Sequence, residues 1–268
     1  MPKGLKGRLA LVGLGLHDDR DVTARGLDEI ADADIVFSES YTSRLSEGSV
    51  SRLSERLGKE IRFLDRTAVE DASVILDACD GHRVVLLVAG DPLTATTHVD
   101  LRLRAARGSI ETVVVHAPSV LTAVPGALGL QHYKFGRTTT LPYPQEGYLP
   151  TSPCEMVLEN LARGLHTLVL LDIDAENERY MSANEGMRLL LEMARKMDAP
   201  ARAISDDTLV CVVARAGAPD CVVSAGKLGE MRLRDFGPPL HTIVIPGKLH
   251  FMERDALETF AGAVGLRE

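Results

Sequence analysis

Short runs rich in leucine and β-branched residues recur along the whole chain, and segments with helical spacing separate many of them. The runs have the length of strands and lie at 8–12, 33–38, 83–88, 112–116, 167–173, 208–214 and 241–245. The helical segments lie at 23–33, 68–79, 98–107, 153–164, 184–197 and 254–262. Because strands and helices alternate from end to end, the pattern predicts an α/β fold with mostly parallel sheets.

A stretch between residues 117 and 153 interrupts this alternation. It contains prolines at 118, 125, 142, 144, 150 and 153 and glycines at 126, 129, 136 and 147. Proline and glycine commonly end regular elements, so we place the crossing between two domains here. The sequence predicts an N-terminal α/β domain over 8–117 and a C-terminal α/β domain over 118–268.

The composition is that of a globular protein, with 268 residues of which 45% are hydrophobic and 25% charged. Thirty Lys and Arg residues against 38 Asp and Glu give a formal charge of −8. An overall negative field repels nucleic acid, so a protein or small-molecule substrate is favoured. The four cysteines form no C-x-x-C pair, which indicates reduced thiols and no metal site.

The chain contains no stretch that approaches the roughly 20 apolar residues of a membrane span. Basic residues precede the apolar run 9–16 as in a signal peptide, but the run contains two glycines and meets His17-Asp18-Asp19 instead of a cleavage site. We therefore expect a cytoplasmic protein with neither a membrane nor a nucleic-acid partner.

Two glycines, Gly13 and Gly15, follow the first predicted strand directly. Glycines at the carboxyl end of a strand let the backbone approach a ligand, and open α/β sheets bind ligands at this edge. The third position of a G-x-G-x-x-G motif is Asp18, whose charge would repel a pyrophosphate, so a dinucleotide site is disfavoured. Read alone, two such glycines more often form a simple turn than a ligand site.

Asp91 stands at the end of a second buried-type strand, between Gly90 and Pro92. The proline holds Asp91 in an extended conformation, which leaves the carboxylate at the edge of the sheet for a ligand hydroxyl or amine. The alternative is that Asp91 caps the helix that follows. Ser119 could also contact a ligand or cap a helix, and capping is the commoner role of a serine at such a position. Single histidines such as His166 and His241 are more often structural.

Signatures of a self-sufficient active site are missing from the sequence, since it has no nucleophile elbow, Walker loop or H-E-x-x-H motif. The residues alone therefore indicate an α/β ligand-binding protein whose cofactor supplies the reactivity.

Longer phrases of the sequence resemble the tetrapyrrole methylase-like class of S-adenosylmethionine methyltransferases and, within it, the archaeal-type diphthine synthase family. Besides the strand-end glycines and Gly90-Asp91-Pro92, the phrases that carry this resemblance are 41–43, 90–98, 100–104, 133–136, 150–153, 163–167, 206–210, 214–217 and 246–250. They span nearly the whole chain, whereas the segment 1–7 has no counterpart in the family pattern and is expected to be a disordered tail.

The resemblance implies a methyltransferase whose two domains hold S-adenosylmethionine in the cleft between them. It implies methylation of the amino group of a 3-amino-3-carboxypropyl-histidine on translation elongation factor 2, in diphthamide synthesis, by a homodimer. By position, it assigns the following residues to the methyl donor: Leu16, Asp91, Thr94, Ser119, Val120, Leu171, Ala216 and His241.

The sequence assigns no residue as the general base. Asp91, Glu39, Tyr41 and His98 are candidates for steering the acceptor or removing its proton, and the sequence does not rank them. The alternatives are a corrin or porphyrin precursor methylase, an RNA ribose methylase of the same class, which the acidic charge disfavours, and a non-catalytic module that binds S-adenosylmethionine.

Overall fold

The structure of the protein is a computed structural model that describes residues 6–39, 41–175, 177–197 and 204–266. The chain divides into two compact units, Met1–Ser119 and Val120–Glu268. Within the described ranges, no helix is both long enough and apolar enough to cross a membrane.

The first unit is built on a five-stranded sheet in the order β3-β2-β4-β1-β5, and every pairing in it is parallel. Its strands are β1 (Gly7–Gly13), β2 (Ile35–Glu39), β3 (Ile61–Leu64), β4 (Arg83–Val88) and β5 (Ile110–Val115). Its helices are α1 (Ala24–Ala31), α2 (Ser49–Leu57), α3 (Arg66–Asp71), α4 (Ser73–Ala78) and α5 (His98–Arg107), with a 3-10 turn at Asp19–Asp21. The predicted α/β class is confirmed.

The two faces of this sheet are covered by different helices. Leu9 and Leu11 of β1 pack with the residues of α3, α4 and α5, whereas Ala10 and Val12 pack with those of α1 and α2. The chain thus leaves β1 towards one face and β4 towards the other, although the two strands are neighbours. Such a switch point opens a crevice at the carboxyl ends of the two strands, where ligands bind in this class of fold.

Local sequence signals explain most element boundaries in this unit. Thr23 caps α1 as predicted, because its hydroxyl accepts a hydrogen bond of 3.1 Å from the Gly26 amide. The helix predicted over 68–79 is two helices, divided at Ala72, which has a left-handed φ of 63°. The helical spacing runs across the break because Val69, Ala72 and Ile75 are all buried.

The prediction of a disordered tail over 1–7 is wrong for its last two residues. Gly7 begins β1, and the Lys6 amide donates a hydrogen bond of 2.9 Å to the Ser109 carbonyl. These residues are ordered because β1 lies between two strands that continue alongside it. Residues 1–5 lie outside the described ranges.

The second unit has a five-stranded sheet in the order β11-β10-β12-β7-β6. Its strands are β6 (Thr139–Leu141), β7 (Thr167–Leu171), β10 (Leu209–Ala214), β11 (Val222–Lys227) and β12 (His241–Ile245), and a separate pair is formed by β8 (Ile173–Asp174) and β9 (Arg179–Tyr180). The helices are α6 (Val120–Leu128), α7 (Ser152–Ala162), α8 (Ala183–Lys196), α9 (Leu228–Met231) and α10 (Phe251–Phe260), with a 3-10 turn at His132–Lys134.

Strand direction in this second sheet differs from the parallel arrangement expected from the sequence. Three of its four pairings are antiparallel, and only β6 and β7 are parallel. β10 and β11 are joined by a short loop without a helix, and a short connection returns the chain antiparallel to the strand it left. The sequence also missed β3, β6 and β11, which lie at sheet edges and lack a continuous apolar run.

Glu253 of α10 is a buried carboxylate that binds residues of the second unit that lie far from it in the sequence. It is fully buried and accepts hydrogen bonds from the Gln131 amide at 2.9 Å, from His166 Nε2 at 3.0 Å and from the Lys134 ammonium. The His250 amide donates to it as well, at 2.8 Å. Burial opposes ionisation, but these donors lower the pKa of Glu253 to about 2. His166 is thus structural, as its isolated position in the sequence indicated.

Replacing Glu253 by alanine should lower the free energy of unfolding by about 3–5 kcal/mol, because Lys134 and His166 would lose their buried partner. Glu253 stabilises the fold above the ordinary carboxyl pKa, so wild-type stability should fall as the pH drops below about 4.5 towards 2. Urea unfolding measures both effects. Thr259→Ala, an exposed change on the same helix, is the control; equal loss in the two variants would contradict the role of Glu253.

Candidate functional site

The carboxyl ends of β1, β4 and β5 converge in the first unit, at the edge where ligands are expected. The Leu14 amide donates to the Val88 carbonyl at 2.8 Å, and just beyond it Gly15 and Gly90 exchange two backbone hydrogen bonds of 3.3 and 2.8 Å. The loop after β1 is thereby fastened to the loop after β4. The two glycine motifs of the sequence are one structural feature.

Gly13 allows this convergence because it has no side chain. A Cβ at Gly13 would lie 2.6 Å from both the Ala117 Cβ and the Gly90 carbonyl oxygen, and 3.0 Å from Pro92 Cδ. These distances are far below van der Waals contact. The loops that follow β4 and β5 therefore meet over the end of β1 only because this position is glycine.

Asp91 is the polar centre of the edge. One carboxylate oxygen accepts hydrogen bonds from the Leu93 amide at 3.0 Å and the Thr94 hydroxyl at 3.3 Å, and the other accepts from His116 Nδ1 at 2.6 Å. The residue is buried, which opposes ionisation, but the Leu93 amide and His116 outweigh burial and lower the pKa of Asp91. Asp91 is an anion at neutral pH.

The predicted alternative for Asp91, a cap for the following helix, is not what the structure shows. Asp91 closes a tight turn with Leu93 and Thr94, and α5 begins later, with Thr97 at its N-cap position. The sequence reading missed His116 as the partner of Asp91. Its signal was the position of His116 directly after β5, which together with Asp91 after β4 flanks the glycine end of β1.

Acidic residues also shape the loop after β1. Asp21 accepts hydrogen bonds from the Leu16 and His17 amides at 3.1 and 2.7 Å, which fixes the backbone at Leu16. Asp18, the residue that breaks the dinucleotide motif, is buried and pairs with Arg20 at 2.7 Å. Its side-chain hydrogen bond to Arg20 lowers the pKa of Asp18.

A second polar cluster lies at the end of β2, which neighbours β4. Glu39 is 5% exposed, and its Oε2 accepts from the Thr42 hydroxyl at 2.6 Å and the Thr42 amide at 3.2 Å. Its Oε1 has no hydrogen-bond partner among the described residues. Burial raises the pKa of Glu39 to about 7.

Tyr41 and His98 join this cluster to the loop after β4. His98 is buried, and its Nδ1 donates to the Pro92 carbonyl at 2.9 Å, which leaves Nε2 as an acceptor 3.5 Å from the Tyr41 hydroxyl. Burial lowers the pKa of His98 and raises that of Tyr41 to about 12. All four residues that the sequence left unranked, including Asp91, thus lie at one edge of this sheet.

Of the eight residues that the resemblance assigns to the donor, four lie in the first unit. Leu16 follows β1, Asp91 and Thr94 follow β4, and Ser119, which is buried, follows β5. Leu16, Asp91 and Thr94 share the bridged loops described above. Ser119 directly precedes α6, as the helix-cap alternative also requires.

The other four lie in the second unit, where three of them occupy one sheet edge. His241 begins β12 opposite Ala214, and the register of β12 with β7, continued by two residues, sets His241 opposite Leu171. Ala216 follows two residues after Ala214. Val120 begins α6 and packs against the core of this unit.

The imidazole of His241 is held on both sides. Its Nδ1 accepts from the Ala183 amide at 3.1 Å, and its Nε2 donates to the Pro238 carbonyl at 3.0 Å and lies 3.2 Å from the Gly237 carbonyl. Burial lowers the pKa of His241, so the ring is neutral at neutral pH. Both nitrogens are engaged within the protein, and the ring also packs against the ring of Phe236. Among the described residues, no group of three or more His, Cys, Asp or Glu side chains could hold a metal ion.

Comparison with known proteins agrees with this architecture. The family model for Tetrapyrrole (Corrin/Porphyrin) Methylases matches residues 8–232. Diphthine synthase of Methanothermobacter thermautotrophicus is 46% identical over 255 residues, which cover 95% of this chain and 96% of that protein. Diphthine synthase of Methanocorpusculum labreanum is 47% identical over 255 residues, covering 95% and 99% respectively.

Comparison with solved structures also finds similarity to diphthine synthase. A crystal structure of diphthine synthase superposes with a TM-score of 0.85 at 34% identity, covering 95% of this chain and 96% of that one. The methyltransferase class and the S-adenosylmethionine donor implied by the sequence are thereby confirmed. The chain belongs to the tetrapyrrole methylase family and, within it, to the diphthine synthases.

Proposed function

We propose that this chain transfers methyl groups from S-adenosylmethionine to the amino group of a 3-amino-3-carboxypropyl-histidine on translation elongation factor 2. The observation that carries the proposal is the 46% identity to a diphthine synthase along 95% of the chain, through both units. Proteins that share only the fold would not reach this sequence identity along both units. Methylation of a corrin or porphyrin precursor, or a non-catalytic binding role, is therefore not favoured.

The first unit has the features that a donor site needs. The position of a Cβ on Gly90, whose φ is +72°, has no atom within 4 Å, so the backbone of this loop can be approached closely by a ligand. The anionic Asp91 beside it suits the positive charge and the hydroxyl groups of S-adenosylmethionine. We propose donor contacts with Leu16, Asp91, Thr94 and Ser119 of the first unit and with Val120, Leu171, Ala216 and His241 of the second.

S-adenosylmethionine supplies a methyl group on a positively charged sulfur, which makes the transfer an in-line displacement. The task of the protein is to hold the acceptor amine opposite that sulfur at near-attack distance. Asp91, fixed by Leu93, Thr94 and His116, cannot rotate freely and can orient the donor. The amine must lose a proton before it attacks, so a proton acceptor is required near it.

The transfer assay uses methyl-labelled donor, the purified chain and elongation factor 2 that carries the 3-amino-3-carboxypropyl group. Label should enter the factor. The same factor with an unmodified histidine is the matched control and should remain unlabelled, because it lacks the acceptor amine. Label on a tetrapyrrole but not on the factor would contradict the proposed acceptor, and donor binding without transfer would contradict an enzymatic role.

Asp91→Asn should weaken donor binding by about 10-fold to 100-fold, because a charge-assisted hydrogen bond contributes about 1.5–3 kcal/mol. Isothermal titration calorimetry with S-adenosylmethionine measures the dissociation constant. Asp100→Asn, which removes an exposed carboxylate from α5, is the control and should bind the donor normally. Unchanged affinity in Asp91→Asn would remove Asp91 from the donor site.

We further propose that the chain works in the cytoplasm as a homodimer, as the family resemblance implies. Exposed apolar side chains on α10, including Phe251, Met252 and Phe260, are compatible with association. Sedimentation equilibrium should give about twice the 29.0 kDa mass of one chain. A single species at the monomer mass at micromolar concentration would contradict the dimer.

A further inference from the structure

Glu39 is a carboxylate buried at the site edge with half of its hydrogen-bonding capacity unused. Oε2 is satisfied by Thr42, whereas Oε1 is buried and has no partner among the residues that the structure describes. Buried polar atoms are almost always paired, because an unpaired one costs about 1–3 kcal/mol, and more for a charged group. An unpaired oxygen at the edge where ligands bind can be satisfied by a donor that a ligand brings.

The position of Glu39 fits such a ligand. It ends β2, and β2 pairs with β4 up to Ser38 and Leu87, so Glu39 aligns with the last residue of β4. Asp91 follows that strand end closely. His98 contacts both the Pro92 carbonyl and the Tyr41 hydroxyl, and so connects the two loops through a side chain. Because β2 and β4 are parallel, Glu39 and Asp91 lie at the same end of adjacent strands. Neighbouring strands are about 4.8 Å apart.

The other candidates are less suited to accept a proton. Both oxygens of Asp91 already accept hydrogen bonds. Nε2 of His98 faces the Tyr41 hydroxyl, and Nδ1 already carries a proton directed at the Pro92 carbonyl. The Tyr41 hydroxyl is protonated at neutral pH, since its pKa is raised to about 12. Of these four residues, Glu39 alone has an acceptor atom without a hydrogen-bond partner in the described part of the chain.

We infer that Glu39 is the general base of the transfer, with Oε1 receiving a proton from the ammonium group of the acceptor amino acid. This inference rests on the proposed function, since it needs an amine as acceptor. It adds to the donor-site residues a group that acts on the other substrate.

The step balances without any further reactant. The ammonium nitrogen transfers one proton to Glu39 and regains its lone pair. That pair forms the new bond to the methyl carbon, while the carbon–sulfur bond breaks and its electrons return to sulfur as a neutral thioether. The product is a methylated ammonium, and Glu39 passes its proton to solvent before the next transfer.

The surroundings of Glu39 bring its pKa into the range that a general base needs. Burial raises its pKa to about 7, opposed by the Thr42 hydroxyl and amide, the Tyr41 amide and the more distant Arg66. The titratable and charged groups facing the cluster are Tyr41, Arg66 and Glu70 of α3, and His98 of α5. A base whose pKa lies near the working pH is ionised for part of the time yet still binds a proton well.

The test is the pH dependence of methyl transfer to modified elongation factor 2, with labelled donor and saturating substrates. Wild-type kcat should rise with pH and level off above about 7, as Glu39 ionises. Glu39→Gln, which keeps the shape of the side chain, should lower kcat at pH 7 by about 100-fold or more. Its rate should recover towards high pH, where solvent removes the proton from the amine.

Two further measurements separate a base from a structural residue. Glu39→Gln should bind S-adenosylmethionine as wild type does, and it should unfold at a higher temperature than wild type at pH 8, because a buried unpaired charge has been removed. Glu60→Gln, an exposed carboxylate whose partner is Arg62, is the control and should leave kcat unchanged.

The inference is wrong if Glu39→Gln keeps kcat within threefold of wild type at pH 7. It is also wrong if the variant loses the same factor at every pH, since a positioning role would do that. If wild type does not label the modified factor, the proposed function itself fails, and the inference with it. The two failures are therefore distinguishable within one experiment.

Discussion

Packing at the end of β1 governs the whole edge of the first unit. Gly13 leaves the space into which Ala117, the Gly90 carbonyl and Pro92 all approach. Through that space the loops after β4 and β5 reach each other, and His116 can bind Asp91 at 2.6 Å. The exchange of backbone hydrogen bonds between Gly15 and Gly90 then fixes the first loop to the second. Because Gly13 has no side chain, the polar groups of the neighbouring loops can come into contact with one another.

Two carboxylates at this edge have opposite electrostatic surroundings. Asp91 is surrounded by donors, so it stays ionised in spite of burial, and it serves as a fixed negative charge. Glu39 is 5% exposed, and burial outweighs the hydrogen bonds from Thr42 and Tyr41, which makes its charged form unfavourable. A pKa of about 7 against an ordinary 4.5 means that ionised Glu39 costs about 3 kcal/mol of folding stability above pH 7. Carboxylates whose pKa is raised in this way are common at functional sites.

Periodicity predicted the central strands, which are buried on both sides, and the helices that bury one face. The strands Arg83–Val88 and His241–Ile245 and the helix His98–Arg107 lie where the sequence placed them. Edge strands such as β11 were not predicted, because exposure to solvent on one side removes the continuous apolar pattern. Strand direction in the second sheet was not predicted either, because it depends on the length of the loops, which the alternation of strands and helices does not encode.

The candidate site was predictable in part for the same kind of reason. The ends of strands could be located, so the positions of Asp91 and Ser119 followed from the sequence together with the family resemblance. The partnership of Asp91 with His116 did not follow, because it depends on loops meeting over Gly13 in three dimensions. The unpaired oxygen of Glu39 is equally a property of packing, and no pattern of residue types reports it.

Glu253 has a consequence for how the protein is made. Its side chain satisfies His166 and Lys134, which precede it by 87 and 119 residues, and it lies beyond residue 232, where the shared family region ends. Until α10 has been synthesised, Lys134 and His166 have no carboxylate at this position to accept their hydrogen bonds. The first unit can complete its sheet during synthesis, whereas the second cannot form the cluster around Glu253 until α10 has left the ribosome.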